Sequence, residues 1–440
     1  MQHVAVILAA GLGTRMKSQQ PKVLHRIAGV PMLTHLIRAA ETVFDRIVVV
    51  TGPGMEAVAT VAAPHPVVVQ HQRRGTADAA IAAVDAFGDG VVTIVYGDNP
   101  LISAATLGRL RARLDAGDAA MVLLGTRPPE PGAFGRIVGD PGFATRIVEF
   151  AEATASEREI PLCNAGGISA RAADLRRWLG RIGNANAKGE FYLTDLAAVA
   201  SAEGARVAVI EAPWDECRGV NSRAELAEAE AALQRRLRAA ALANGVTMTA
   251  PETVFLAADT DLAPDVTIEP NVVFGPGVKI ETGAAIRAFS HLEGCTIGAG
   301  AIIGPYARIR PGSIVGDAVH IGNFVELKAA KLAAGVKANH LTYIGDTEIG
   351  ARSNIGAGTI TCNYDGYAKH RTTIGADVFI GSDVALVAPV SVGDGAIIGA
   401  GSVITENVEA DALALGRGRQ VAKAGRAAEI REARGKQGKH

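Results

Sequence analysis

The first half of the chain alternates short apolar runs with Ala-rich or amphipathic stretches. The apolar runs have the length of buried strands, and they cover residues 4–8, 47–50, 67–69, 91–96 and 121–124. Ala-rich stretches such as residues 77–84 lie between them. This alternation predicts a mostly parallel, doubly wound α/β sheet within residues 1–221. Ligands of such sheets bind beyond the carboxyl ends of the strands, where the loops after Leu8 and Tyr96 would lie.

A helical pattern follows in residues 222–245. Ser222 and Glu225 have the spacing of a capping box, and a run rich in Ala, Leu, Glu and Arg comes after them. Gly245 is suited to end a helix. The segment therefore predicts one helix of about 20 residues, roughly 30 Å long, that links two domains.

Aliphatic residues then recur every six positions through the predicted domain 246–420. The series consists of Ile297, Ile303, Ile309, Val315, Ile321 and Leu327, then Ile349 and Ile355, then Ile374, Ile380, Leu386, Val392 and Ile398. A helix has a period of 3.6 and a strand a period of 2, so a period of six indicates a parallel β-helix of hexapeptide repeats. The phase breaks at 328–348 and at 362–373, which predicts two insertions, and insertions on repetitive scaffolds often carry function.

Composition excludes several classes of protein. The 440 residues include 44 basic and 45 acidic ones, a net charge of −1 that argues against a nucleic-acid or membrane-surface binder. No apolar run approaches the roughly 20 residues of a membrane span, and the N-terminus lacks the basic start of a signal peptide. Four widely spaced cysteines indicate reduced thiols in a cytoplasmic protein without a zinc site.

The loop after the first predicted strand has the chemistry of a phosphate site. Gly11 and Gly13 let the backbone approach a ligand closely, and Arg15 and Lys22 add positive charge just beyond them. The third glycine of a dinucleotide fingerprint and the Gly-Lys-Ser/Thr of a P-loop are both missing. Asp98 follows the strand 91–96 and is a candidate Mg²⁺ ligand beside this loop.

These motifs together resemble a known family. LAAGLGTRM at 8–16, PK at 21–22, GT at 75–76, YGD at 96–98 and GVN at 219–221 are similar to sugar-1-phosphate nucleotidyltransferases. HLTYIG at 340–345 and NIGAGTITCNYDG at 354–366 narrow the resemblance. Nearly the whole chain resembles the bacterial bifunctional N-acetylglucosamine-1-phosphate uridylyltransferase/glucosamine-1-phosphate acetyltransferases. Their fold joins a Rossmann-like nucleotidyltransferase domain, a long linker helix and a left-handed β-helix.

The resemblance implies the residues of the uridylyl site. The uracil would be held by Ala10, Gly11, Gln70, Gly75 and Thr76. The nucleotide phosphates would meet Arg15 and Lys22, Mg²⁺ would bind Asp98 and Asn221, and N-acetylglucosamine would bind Gly135, Glu149 and Asn164. The sugar phosphate attacks the α-phosphorus of UTP and releases pyrophosphate, so positioning and charge neutralisation should dominate catalysis. Arg73 and Arg74 make the segment after Gln70 more basic than expected, as a phosphate contact or as solvated side chains.

The resemblance also implies an acetyl site around the two phase breaks. His340 would take the proton of the sugar amine, with Glu326 orienting it. The sugar phosphate would be held by Arg310, Lys328, Tyr343 and Lys369, and the sugar hydroxyls and amine by Asn354 and Asn363, with Tyr364 beside them. The thioester oxyanion would be stabilised by the Ala357 N–H or the Ser382 hydroxyl. Coenzyme A would contact Ala400 and Arg417.

The family implies a homotrimer formed through the β-helix, with acetyl sites between subunits, and a product, UDP-N-acetylglucosamine, used in cell-envelope synthesis. The basic tail 421–440 is either solvated and partly disordered or in contact with the phosphates of coenzyme A. Two other functions stay open: a single-function nucleotidyltransferase whose β-helix only oligomerises, and a scaffold with decayed sites. His340 with Asn363 and Tyr364 argues against the first, and the polar residues at both phase breaks argue against the second.

Overall fold

The apolar runs of the first half form strands. The computed structural model describes residues 2–437, and its chain divides into two units that meet between Leu237 and Arg238. The strands of the first unit are β1 His3–Leu8, β2 Arg26–Ile27, β3 Val30–Pro31, β4 Arg46–Thr51, β5 Val67–Val69, β6 Val91–Tyr96, β7 Met121–Thr126, β8 Arg136–Val138, β9 Phe143–Ala144, β10 Arg146–Val148, β11 Cys163–Arg171 and β12 Val207–Glu211. Its helices are α1 Met32–Glu41, α2 Glu56–Ala62, α3 Thr76–Ala82, α4 Ala104–Asp115, α5 Ala155–Arg158, α6 Ala172–Leu179 and α7 Leu196–Ala202.

The main sheet of this unit is mostly parallel, as predicted. Its strand order is β5-β4-β1-β6-β11-β7-β12-β9, and β8 joins it at β11 and pairs with β10. Strand β1 runs parallel to both β4 and β6, whereas β11 runs antiparallel between β6 and β7. Val4 and Val6 pack into the core on one face, and Ala5 and Ile7 pack into the core on the other. Burial on both faces explains why β1 is an unbroken apolar run.

The sheet register brings the two predicted ligand loops together. Leu8, the last residue of β1, pairs with Tyr96, the last residue of β6. The Gly-rich loop and Gly97-Asp98 therefore leave neighbouring strands at the same edge of the sheet. This is the edge where ligands of open α/β sheets bind.

The predicted linker helix is α8, Arg223–Ala243, with 21 residues. Ser222 Oγ accepts a hydrogen bond from the Glu225 N–H at 3.3 Å, and the Glu225 carboxylate accepts from the Asn221 N–H at 2.7 Å. Gly245 has φ +90°, the left-handed conformation that glycine adopts after a helix. The boundary between the two units falls inside this helix. The domain limits 1–221, 222–245, 246–420 and 421–440 stay predictions.

The second unit is a left-handed β-helix with three parallel sheets, PB1, PB2 and PB3. The strands of PB1 are Thr247–Met248, Thr267–Ile268, Ala285–Ile286, Ile302–Ile303, His320–Asn323, Lys337–His340, Asn354–Ile355, Phe379–Ile380, Ile397–Ile398 and Leu413–Ala414. The strands of PB2 are Asp261–Leu262, Lys279–Ile280, Thr296–Ile297, Ile314–Val315, Lys331–Leu332, Thr347–Ile349, Thr372–Ile374 and Val390–Val392. The strands of PB3 are Val273–Phe274, His291–Leu292, Arg308–Ile309, Glu326–Lys328, Tyr343–Gly345, Ile360–Cys362, Ala385–Val387 and Val403–Ile404.

The aliphatic positions of the six-residue series point into the β-helix. All thirteen are buried, and each stacks on its counterpart in the next coil, as Ile303 does on Ile321. Stability of such a solenoid comes from contacts between neighbouring coils. The residues that recur every six positions therefore form the hydrophobic core of the second unit.

One of the two predicted insertions is wrong. The PB1 positions that pair in successive coils are 302, 320, 337 and 354, which are steps of 18, 17 and 17 residues. Residues 328–348 therefore continue the coil, and the loss of single residues shifts the aliphatic phase. The next step, from 354 to 379, has 25 residues, so the second insertion is confirmed. It contains a short antiparallel bridge between Tyr364 and Lys369.

The remaining features concern the tail, the cysteines and membrane spans. The tail contains helix α9, Arg426–Gln437, and residues 421–434 are exposed, while 438–440 lie outside the described residues. All four cysteines are free, and burial raises the pKa of Cys217 and of Cys295 to about 12. Among residues 2–437, no helix is long and apolar enough to cross a bilayer.

Candidate active sites

A cavity of about 980 Å³ opens at the carboxyl ends of β1 and β6. All twelve residues assigned to the uridylyl site line it: Ala10, Gly11, Arg15, Lys22, Gln70, Gly75, Thr76, Asp98, Gly135, Glu149, Asn164 and Asn221. They come from seven separate segments of the chain. A nucleotide-sugar fits a cavity of this size, which is at the upper end of ordinary ligand pockets.

The Gly-rich loop is shaped by Gly13 and Lys22. Gly13 has φ +63°, and a Cβ added there would lie 2.5 Å from the Lys22 Cβ. Only glycine therefore lets the lysine pack against the loop. Arg15 lies in a short 3₁₀ turn, Thr14–Met16, and its side chain is exposed at the rim of the cavity.

The two proposed Mg²⁺ ligands converge on one point. Lys22 Nζ donates hydrogen bonds to Asp98 Oδ2 and, at 2.9 Å, to Asn221 Oδ1. Glu225 holds the backbone of Asn221 from the first turn of α8. A carboxylate and an amide oxygen aimed at one cation are a donor set that suits Mg²⁺, with phosphate and water oxygens completing the shell. No group of three or more His, Cys, Asp or Glu with metal-binding geometry occurs within residues 2–437.

The end of the cavity that was assigned to the uracil is built on the N-terminus of α3. Gly75 has φ +128°, and a Cβ there would lie 2.4 Å from the Phe191 carbonyl oxygen, so this position requires glycine. Thr76 Oγ1 accepts from the Leu193 N–H at 2.9 Å. The Gln70 amide is buried, and its Nε2 donates to the Gly75 carbonyl at 3.1 Å and to Asp78 Oδ2 at 2.9 Å.

Arg73 and Arg74 both bond to protein atoms. Arg73 lines the cavity, and its Nε donates to the Ala10 carbonyl of the Gly-rich loop at 3.1 Å. The two guanidinium nitrogens Nε and Nη2 of Arg74 donate to Asp78 Oδ1 at 3.1 and 2.7 Å. Both side chains are also exposed, so a phosphate contact and a solvated role both stay predictions.

The end of the cavity that was assigned to N-acetylglucosamine is held by hydrogen bonds that the motifs do not indicate. Thr194 Oγ1 donates to Glu149 Oε1 at 3.0 Å. The Asn164 N–H donates to the Gly135 carbonyl at 2.9 Å, and Asn164 Oδ1 accepts from the Gly166 N–H at 3.1 Å. Lys188, Glu190, Tyr192 and Thr194 also line the cavity, and they come from a segment with no motif or periodicity.

In the β-helix, the residues assigned to the sugar phosphate lie along one edge of PB3. Arg308, Glu326, Tyr343 and Ile360 pair in successive coils, and Arg310 and Lys328 lie two residues further along their coils. Arg310 Nη1 donates to Glu326 Oε1 at 2.9 Å. Asn363 Nδ2 donates to Asp346 and, at 3.5 Å, to the Tyr343 hydroxyl.

The second insertion brings a lysine to this edge. The neighbouring ammonium of Lys328 lowers the pKa of Lys369. The Asp346 carboxylate opposes this effect, so two ammonium groups and one carboxylate lie near each other at this edge. An excess of positive charge of this kind suits a site for an anion. We name this group, consisting of Arg310, Glu326, Lys328, Tyr343, Asn363 and Lys369, the PB3 edge cluster.

The residues assigned to the base, the oxyanion and coenzyme A lie along an edge of PB1. Lys337, Asn354, Phe379 and Ile397 pair in successive coils. Three residues further along those coils are His340, Ala357, Ser382 and Ala400, which we name the PB1 edge column. Arg417 Nη1 donates to the Ala400 carbonyl at 2.8 Å, so the two residues assigned to coenzyme A touch.

Glu326 is not the partner of His340 in this chain. His340 Nδ1 is 2.8 Å from Asn323 Oδ1, one coil earlier in PB1, whereas Glu326 bonds to Arg310. Within one chain the partner of His340 is therefore Asn323, which the sequence motifs do not indicate, and the orienting role assigned to Glu326 stays a prediction. The strand pairing in PB1 brings these two residues together, since Asn323 and His340 occupy equivalent positions in adjacent coils.

Comparisons with known proteins identify the families to which both units are similar. Residues 5–157 match the MobA-like NTP transferase domain family, and residues 294–329 and 371–406 match the bacterial transferase hexapeptide family. A protein of Acidiphilium cryptum called "Bifunctional protein GlmU" is 77% identical over 99% of this chain and 100% of its own. Proteins of the same name from Gluconacetobacter diazotrophicus and Granulibacter bethesdensis are 63% and 64% identical, over 98% and 97% of this chain and 94% and 96% of theirs.

The fold and the two sites define a nucleotidyltransferase joined to a hexapeptide-repeat acyltransferase. More narrowly, the chain belongs to the bifunctional GlmU family. It acetylates glucosamine-1-phosphate with acetyl-CoA, then transfers UMP from UTP to the N-acetylglucosamine-1-phosphate, giving UDP-N-acetylglucosamine and pyrophosphate. The relatives span both halves, so the single-function alternative is set aside.

Proposed function

We propose that the cavity of the first unit carries uridylyl transfer with the residues assigned from the sequence. The observation that supports this most is the convergence of Asp98 and Asn221 on the Lys22 ammonium, directly beside the Gly-rich loop. Loop N–H groups with Arg15 and Lys22 would neutralise the triphosphate. Gln70 and Thr76 would read the uracil, and Glu149 and Asn164 would hold the sugar. Both reactants are anions, so their alignment and neutralisation supply most of the rate enhancement.

We assign Asp98 and Asn221 as the protein ligands of a Mg²⁺ ion. When bound, the ion would neutralise phosphate charge as the α-phosphorus is attacked. Lys22 bonds the same two oxygens in this structure, so its ammonium and the metal compete for them. Lys22 would turn toward the nucleotide phosphates when the metal binds.

We propose that His340 removes the proton of the sugar amine. Asn323 Oδ1 accepts from an Nδ1–H, which leaves Nε2 as the unprotonated nitrogen that can take a proton. This hydrogen bond also fixes the plane of the ring. The oxyanion of the thioester would lie beside Ala357 and Ser382 on the next coils of the PB1 edge column, and coenzyme A beside Ala400 and Arg417.

We infer that the acetyl site needs more than one copy of the chain. His340 ends a PB1 strand before the corner at Leu341, whereas Lys328, Asp346 and Asn363 lie at the far end of PB3 strands. These are two different edges of a triangular prism. A homotrimer in which one subunit's PB1 edge column faces the next subunit's PB3 edge cluster would complete three equivalent sites. We also place the enzyme in the cytoplasm, where free thiols and both co-substrates occur.

Two substitutions test the separation of the sites, and each is the control for the other. Asp98→Ala should lower uridylyl transfer by about 10²–10³-fold, because it removes a ligand of the phosphate-neutralising metal. It should leave acetyl transfer unchanged. His340→Ala should lower acetyl transfer by about 10²–10⁴-fold and spare uridylyl transfer. Pyrophosphate release and coenzyme A thiol release report the two reactions.

Either assignment has a clear counter-result. A His340→Ala enzyme that acetylates normally would remove His340 from the site. An Asp98→Ala enzyme with normal Mg²⁺-dependent pyrophosphate release would remove Asp98.

A further inference from the structure

Asp78 lies behind the end of the cavity that was assigned to the uracil and belongs to none of the sequence motifs. It sits in the first turn of α3 and is 7% exposed. Its Oδ2 accepts from Gln70 Nε2 at 2.9 Å, and its Oδ1 accepts from Arg74 at 2.7 and 3.1 Å. Both carboxylate oxygens of Asp78 therefore accept hydrogen bonds, and one of these bonds comes from Gln70, which lines the cavity.

These contacts determine which way round the Gln70 amide lies. A carboxylate paired with a guanidinium is ionised and has no proton to donate, so it can only accept hydrogen bonds. The Gln70 NH₂ group must then face Asp78, and its other hydrogen is donated to the Gly75 carbonyl at 3.1 Å. A flipped amide would place Gln70 Oε1 against two acceptors. A flip of the Gln70 amide would therefore lose a hydrogen bond at each of the two contacts.

The consequence is a fixed acceptor in the cavity wall. Gln70 lines the cavity, and within residues 2–437 both hydrogen bonds of its side chain are donated by Nε2, which leaves Oε1 as the acceptor for a ligand. Uracil carries a donor at ring N3, whereas cytosine carries a lone pair there. Because Gln70 Oε1 is held in place, it accepts a hydrogen bond from the uracil N3–H. The same oxygen would repel the lone pair of the cytosine N3.

We propose that Asp78, held by Arg74, is the specificity-determining residue that makes this unit select uracil over cytosine nucleotides. It acts by positioning Gln70 and does not itself touch the nucleotide. Arg74 adds rigidity because its guanidinium lies over the Phe191 ring, 5.4 Å from the centroid. The inference rests on the proposed function, which places the uracil at Gln70.

The test is Asp78→Asn, which keeps the size of the side chain but can turn a donor toward Gln70. The amide of Gln70 is then free to flip and offer a donor to cytosine. We measure kcat/KM for UTP and for CTP with N-acetylglucosamine-1-phosphate, in the wild type, in D78N and in Asp78→Ser. The UTP:CTP ratio should fall by about tenfold or more in both variants. Glu211→Gln, which breaks the exposed Arg127–Glu211 pair, should leave the ratio unchanged.

The ratio of the two rates does not depend on how much of a variant is folded, so a moderate loss of stability does not mask the result. A D78N ratio within twofold of the wild type overturns the inference, as does an equal loss of both rates. A wild type that turns over neither UTP nor CTP would instead overturn the proposed function. The two failures are therefore distinguishable.

Discussion

At the scale of single residues, the sequence motifs identified residues that line one cavity, but not the partners that hold those residues in place. All twelve residues assigned to the uridylyl site line this cavity, because motif residues follow strand ends that the sheet brings together. The partners that orient them are distant in sequence. Lys22 and Asn221 are 199 positions apart, and Arg73 and Ala10 are 63 apart. Side-chain partners at such separations depend on the complete fold, which local patterns do not report.

Asn323 offers a test at this scale. Asn323→Ala removes the acceptor of the His340 Nδ1–H, so the ring loses its fixed tautomer and orientation. Acetyl transfer should fall by about 10–100-fold, as for other residues that orient a functional histidine. Uridylyl transfer should not change. The loss should appear in kcat more than in the KM for glucosamine-1-phosphate, and a normal kcat would show that Asn323 does not position the base.

At the scale of elements, the spacing of apolar residues predicted the hydrophobic cores of both units. It also predicted an insertion at 328–348 that the structure does not contain. The strands and the linker helix have patterns of length and spacing that physical packing imposes, so they were recognisable. A break in a six-residue period is ambiguous, because a lost residue and an added segment both shift the phase. At 328–348 the coils had lost residues, and at 354–379 the chain had gained them. The antiparallel strand β11 has no continuous apolar run, because Asn164, two glycines and Ser169 interrupt it, so its sequence does not predict a buried strand.

Two isoleucines test the inward and outward faces of the β-helix. Ile321 is fully buried, whereas Ile314, on the outer face of PB2, is 48% exposed. Ile321→Ala should cost about 2–5 kcal/mol of unfolding free energy, because it leaves a cavity between stacked coils. Ile314→Ala should cost less than about 1 kcal/mol. Chemical denaturation of both variants measures the difference, and equal losses would contradict the assigned faces.

At the scale of the whole molecule, we propose that the acetyl site is divided between two edges of the β-helix. In this proposal the PB1 edge column supplies the base, and the PB3 edge cluster supplies the charges for the sugar phosphate. Each edge of one chain then carries only part of the chemistry that binds and deprotonates the substrate. The sequence could name the members of both groups, but only the coil register shows that they face different directions.

Oligomers that contain two different variants of the chain test whether the acetyl site is divided between neighbouring subunits. His340→Ala disables the PB1 edge column, and Lys328→Ala disables the PB3 edge cluster. Each variant alone should have little acetyl transfer. Coexpressed in equal amounts, they should recover about one quarter of the wild-type rate, because one site in four pairs two intact edges from neighbouring subunits. Coexpressed His340→Ala and Asn323→Ala, both on PB1, are the matched control and should show much less recovery. No recovery in the first mixture would place the whole site within one chain.

The most direct test of two activities on one chain is a single incubation followed by mass spectrometry. The purified protein is mixed with glucosamine-1-phosphate, acetyl-CoA, UTP and Mg²⁺, and each component is omitted in turn. We predict UDP-N-acetylglucosamine only in the complete mixture, and N-acetylglucosamine-1-phosphate when UTP or Mg²⁺ is left out. Product from supplied N-acetylglucosamine-1-phosphate and UTP, with none from glucosamine-1-phosphate, would contradict the account by showing that the β-helix does not catalyse acetyl transfer.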